Sequence, residues 1–135
     1  MADFILKAHS GWRYLVIAVV VVALIKFLIG WLTNGRWSRL DQGLGAATPI
    51  VMDIQLLLGL VLWIVQQRWI ASNPLASWEH PVTMILAIAA GHIGWSRAKQ
   101  SNTDQGKYRT ATIWFAIALI LVGLGVWRIT HQGLA

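Results

Sequence analysis

The 135-residue chain has four histidines, at positions 9, 80, 92 and 131, and no cysteine. A disulfide, a thiolate metal site and a haem attached through Cys are therefore excluded, and any bound metal would rely on imidazole nitrogen. Arg13 follows His9 by four residues, the spacing that puts both on one helix face, where a guanidinium suits a carboxylate such as a haem propionate. Glu79 directly precedes His80 and is placed to orient an imidazole from behind, fixing which ring nitrogen stays free for metal. Lys26, Asp53 and His92 form a second candidate set, ionisable residues set inside apolar runs. The chain has no GxSxG, HExxH or P-loop motif, and its five acids fall in separate segments, which argues against hydrolytic or group-transfer chemistry.

The elements that must position these residues follow from composition. Hydrophobic residues make up 57% of the chain and charged ones 12%, about half the usual charged share of a soluble domain, so lipid is the expected solvent. Disorder is excluded on the same ground. The net charge of +6 does not signal nucleic acid, because the basic residues are scattered between apolar runs. Four runs have the length of a membrane-spanning helix, over about 11–33, 49–67, 78–97 and 111–130. Pro49 suits a helix start, the sequence Ser-Asn-Pro at 72–74 suits a turn, and Ser77 suits a cap for the third helix. No long polar linker or repeat divides the chain, so residues 1–135 are expected to form one all-α domain, an integral membrane antiparallel four-helix bundle.

Lys and Arg set the expected orientation. The loops after the first and third spans carry Arg36, Arg39, Arg97, Lys99, Lys107 and Arg109, six in all, against Lys7, Arg13, Arg68 and Arg128 on the other side. That balance places the two loops in the cytoplasm and both termini on the outer side. Trp12, Trp63, Trp69, Trp78 and Trp127 would mark the outer interface, and Trp31, Trp37, Trp95 and Trp114 the inner one.

Helices one and three run the same way, so His9 and His80 fall on the same outer side. Two such imidazoles suit either a haem iron clamped from both sides or a chlorin magnesium on each, with Arg13, Arg68 and Arg128 at the same level. Interfacial packing of the histidines, and arginines snorkelling to lipid phosphate, is the plainer alternative. Lys26, Asp53 and His92 fall roughly 5 to 8 Å to the cytoplasmic side of the midplane at about 1.5 Å rise per residue. Isolated ionisable groups there cost about 2.5 to 3.5 kcal/mol or more, so they are expected to be mutual partners. Asp53 would pair with Lys26 or accept from His92, with Gln55 nearby, as a proton-accepting or quinone-binding site or as a polar clasp; Lys26 snorkelling inward would leave the Asp53–His92 pair. His80 and His92 are about 18 Å apart along one helix and do not share a metal. His131 belongs to the C-terminal tail.

The segments HSGWRYLV (9–16), RWSRLDQGLG (36–45), QLLLGL (55–60) and Glu79-His80, taken in order, resemble a family of small bacterial four-helix membrane proteins labelled cytochrome b-like. The resemblance covers most of the chain. It implies an electron-transfer setting, with His9 and His80 at the family's histidine positions; where relatives carry a further His, this chain has Asp53. Residues and resemblance together lead to the expectation of a non-enzymatic cytochrome b-like subunit, holding haem b at His9 and His80 and passing electrons between a quinol and a partner. The alternative is a cofactor-free accessory subunit of a larger respiratory or photosynthetic membrane complex, or a chlorin-binding version of it. Expected partners are the lipid bilayer and a larger membrane complex or a homo-oligomer, and no nucleic acid.

Overall fold

The computed structural model describes residues 2–70 and 73–131, with backbone alone for Ala2 and Ala76. The described residues form four helices: α1 (Ala2–Leu32), α2 (Arg39–Val65), α3 (His80–Gln100) and α4 (Asp104–His131). A 3-10 turn (Arg68–Ile70) and a π-helical turn (Leu75–Glu79) lie between α2 and α3. Among the described residues three helices are long and apolar enough to cross a membrane, α1 from Asp3, α2 and α4. The third expected span, α3, is not among them. It carries His80, Thr83, His92, Ser96 and Arg97, and many of its apolar positions are Ala or Gly rather than Leu or Val.

The three apolar helices are built inside out relative to a soluble domain. Only 28%, 22% and 33% of their most apolar stretches is buried, so most of their large side chains face outward, as hydrocarbon surroundings would favour. Packing follows the cycle α1, α2, α3, α4 and back to α1, with α3 on α4 the most extensive contact and α2 on α3 the least. One core cluster centres on Val16, Val20, Met52, Ala87, Ala118 and Val122. The other holds Phe27, Trp95, Tyr108 and Phe115.

Local chemistry explains the helix ends, and it moves two of them from where the sequence suggested. Helix α1 stops in a Schellman motif: Asn34 adopts a left-handed φ of 54°, the Gly35 amide donates to the Gly30 carbonyl at 2.9 Å, and that of Asn34 to Trp31 at 3.4 Å. Helix α2 starts ten residues before Pro49, because Ser38 and Asp41 form a capping box: the Asp41 amide donates to Ser38 Oγ at 3.3 Å and the Ser38 amide to Asp41 Oδ2 at 2.8 Å. Pro49 therefore sits inside α2, where it withholds the amide that would reach the Gly45 carbonyl. Ser77 does not cap α3. Its hydroxyl donates to the Arg68 carbonyl and its own carbonyl accepts from Trp63 Nε1 at 2.8 Å, while Asn73 Oδ1 takes the Leu75 amide at 2.9 Å. Of the expected 72–74 turn, Ser72 lies outside the described residues.

Candidate cofactor-binding site

His9, in the third turn of α1, and His80, the first residue of α3, come together. Their ring centres are 6.2 Å apart and their planes are perpendicular. Two features of α2 let the His9 ring lie there. Gly59 faces it, and a Cβ on Gly59 would stand 2.9 Å from His9 Cε1, so any larger residue would push the ring away. Gln55 Nε2 donates to the His9 carbonyl at 2.8 Å, and one turn further on Trp12 Nε1 donates to the Val51 carbonyl at 2.8 Å, fixing α1 against α2.

Both rings line a cleft that is partly open to the surface. Its walls are mainly apolar and draw on all four helices, with Leu56, Met84, Ile88 and Val126 among them. The Nδ1 atoms of His9 and His80 and Oε1 of Gln55 are buried without a hydrogen-bond partner. Buried polar atoms are nearly always paired, so three orphans around one cavity ask for something that pairs with them.

Arg13 and Arg68 line the same cleft. Arg13 Nε donates to the Ser10 carbonyl at 2.8 Å with its guanidinium over the Tyr14 ring at 5.5 Å, and Arg68 Nε donates to Gln66 Oε1 at 2.7 Å. Neither is ion-paired with an acid among the described residues. Desolvation lowers the Arg68 pKa from its ordinary value, but an arginine stays charged in proteins. Two cations thus stand beside an apolar cavity without a counter-charge.

Arg128, expected at this level, does not line the cleft. It grips Glu79 through Nε at 2.8 Å and a second nitrogen at 3.0 Å, tying the start of α3 to the end of α4. Glu79 is thereby engaged by an arginine rather than by an imidazole. His131 bonds the Trp127 carbonyl through Nδ1 at 2.9 Å and packs on that residue's ring.

The second expected set is split in two. Lys26 donates to Asp41 at 2.8 Å, not to Asp53. Asp41 is completely buried and its Oδ2 also accepts from the Tyr108 hydroxyl at 2.6 Å and the Ser38 hydroxyl at 2.8 Å. Asp53 instead meets His92, whose Nε2 lies 2.8 and 3.0 Å from the two carboxylate oxygens, and both side chains are about half exposed on the outer surface of α2 and α3. Gln55, expected near this pair, serves the His9 end. Asp41, Tyr108 and Gly59 were not singled out in the sequence; the Ser-x-x-Asp spacing at 38–41 is the one signal that would have pointed to Asp41.

The donor set limits what could occupy the cleft. Among the described residues no group of three or more His, Cys, Asp or Glu is arranged to hold a metal, so a bare ion would be under-coordinated. A metal that brings its own in-plane ligands needs only axial donors. His9 and His80, with ring centres 6.2 Å apart, would be such donors. The residues fit a flat metallated macrocycle carrying carboxylates. No family model matches the chain, and neither a curated protein nor a solved structure matches it.

Proposed function

We propose that this chain is a membrane-embedded electron-transfer subunit that binds one haem b between His9 and His80, in an antiparallel four-helix bundle of which α3 is the fourth, less apolar member. The observation that carries the reading is the pair of neighbouring imidazoles, 6.2 Å between ring centres, each with a buried nitrogen that has no partner and each lining the same apolar cleft. His9 and His80 would hold the haem iron, Arg13 and Arg68 would hold the propionates, and the apolar walls would keep water away. Haem supplies reversible one-electron exchange at iron; the chain's part is to fix the ligand axis and the surrounding dielectric. The distribution of Lys and Arg favours this site on the outer side, and the family resemblance favours a bacterial cytoplasmic membrane, where that side is periplasmic. A quinol is the suggested electron donor, with the Asp53–His92 pair as the group that takes up its protons.

The absorption spectrum of the reduced protein, purified from its own membranes in mild detergent, tests this. Soret and α bands that vanish in both His9→Ala and His80→Ala are expected. Intact protein without those bands would remove the haem, and loss in His80→Ala alone would break the pairing. Chlorin in place of haem would show in pigment analysis.

A second reading, a cofactor-free subunit packed on a larger complex or on its own copy, is favoured by one observation. Asp53 and His92 face outward amid exposed Ile50, Leu57 and Ile93, where lipid is a poor neighbour for an ion pair. Migration in a native gel decides it: a colourless protein found only within a larger assembly would support this reading over the first.

A further inference from the structure

At the end of the molecule opposite the histidines, the chain carries Arg36, Arg39, Arg97, Lys99, Lys107 and Arg109, and none of them is ion-paired with an acid among the described residues. Three of them rest on indole rings instead: Arg97 over Trp114 at 5.8 Å, Lys99 over Trp95 at 5.5 Å and Lys107 over Trp37 at 5.9 Å. A ring face orients a cation without neutralising it, so these charges stay available. The one buried acid at this end, Asp41, is already taken by Lys26.

Two of the six differ from the rest because they share a groove. Arg97 on α3 and Arg109 on α4 line a cleft beside the three-residue connection between these helices, together with Gln100, Thr110, Ile113 and Trp114. Its walls are fixed. Helices α3 and α4 make the most extensive contact in the molecule, and Gly94 lets the Trp114 side chain lie against α3, where any Cβ would collide with it. Gly106 forms the floor, since a Cβ there would meet Ser101 and Thr103. Arg97 is thus held over an indole that is itself held, on one wall of a groove whose other wall presents a second guanidinium and a hydroxyl.

Below Arg109 the same face of α4 turns apolar. Ile113, Ile117 and Ile120 follow at spacings of four, four and three residues, and they are 42%, 40% and 62% exposed. A polar groove with two uncompensated guanidiniums, continuous with an exposed aliphatic stripe, has the chemistry of a phosphodiester joined to an acyl chain.

We propose that this groove binds one anionic glycerophospholipid, its phosphate held between Arg97 and Arg109 with Thr110 as a further donor, and its chain laid along Ile113, Ile117 and Ile120. The site is independent of the haem reading and lies at the other end of the molecule. Its role would be to fasten the α3–α4 turn to the anionic leaflet, which also fits the less apolar α3.

The test is native mass spectrometry and thermal unfolding of the full chain, released from dioleoyl phosphatidylcholine vesicles with and without dioleoyl phosphatidylglycerol. One retained phosphatidylglycerol per chain and a raised unfolding midpoint are expected, with no such retention of phosphatidylcholine. Arg97→Gln combined with Arg109→Gln should weaken retention by at least about tenfold, as loss of charge-assisted contacts implies. The pair Arg36→Gln with Arg39→Gln, which removes the same charge from the same end, should leave retention intact. Equal losses in the two double variants would mean diffuse attraction to charge and would overturn the site. Inorganic phosphate protecting as well as the lipid would identify a free-anion site and overturn the lipid. Helical content by circular dichroism confirms that each variant is folded before it is read.

Discussion

Two clusters of buried polar groups, one around Asp41 and one around His9, are treated in opposite ways, although Gln105 Oε1 and Thr112 Oγ1 on α4 are also buried without a partner. At the Lys26 end, one fully buried carboxylate, Asp41, accepts from an ammonium, two hydroxyls and the Ser38 backbone amide, and the Tyr108 hydroxyl also reaches the Arg36 carbonyl at 2.7 Å. At the His9 end, two imidazole nitrogens and an amide oxygen are buried with nothing to bond. The closed network joins α1, α2 and α4 and is complete without any added molecule. The open cluster leaves three buried polar atoms without partners, which is what the proposed haem site rests on. A satisfied polar group shows what holds a structure together, whereas an unsatisfied one shows where it is unfinished.

Substitutions at the two ends should therefore separate stability from cofactor content. The largest effect on stability is expected for Asp41→Ala, which strands Lys26 and the Tyr108 hydroxyl. Breaking a buried pair costs about 3 to 5 kcal/mol, and the partial exposure of Lys26 puts this case near the lower figure, read by chemical unfolding in detergent. Tyr108→Phe leaves two acceptors short of a donor and should cost about 1 to 3 kcal/mol in the same assay, with haem content unchanged. The double variant His9→Leu with His80→Leu should reverse the pattern. Removing the orphaned nitrogens is favourable, while the backbone hydrogen bonds of the rings to Gln55 and Gly125 are lost, so apo-protein stability should change by no more than about 1 to 2 kcal/mol while haem is lost. A large destabilisation there would make the histidines part of the clasp and erase the contrast. Arg128→Gln should change neither readout, since its pair with Glu79 lies in the open.

The sequence was informative wherever a signal was long or followed from the direction of the helices. Unbroken apolar runs mark α1, α2 and α4, and His9 and His80, each near the start of its helix, meet as expected. It was misleading where two local rules compete. Pro49 reads as a helix start, and taking it so leaves Asp41 in a loop; the capping box at Ser38 and Asp41 overrides it, extends α2 and supplies Lys26 with a nearer acid than Asp53. Depth alone grouped Lys26, Asp53 and His92, because rise per residue gives height but not the face of the helix. Azimuth sent Lys26 inward to Asp41 and left Asp53 and His92 outside. The same limit applies to Arg128, which has the right height and faces Glu79 rather than the cleft. Gly59 carries no signal by itself, since only the ring beside it explains why a side chain is excluded.

The ring planes provide the most direct check. Axial imidazoles set perpendicular to one another give ferric haem a highly anisotropic low-spin electron paramagnetic resonance signal, and parallel planes give a rhombic one. The oxidised, haem-loaded protein at low temperature is expected to show the anisotropic signal, and neither His9→Ala nor His80→Ala should retain it. A high-spin spectrum from folded protein, or a low-spin spectrum that survives either substitution, would contradict the placement of haem between these two residues.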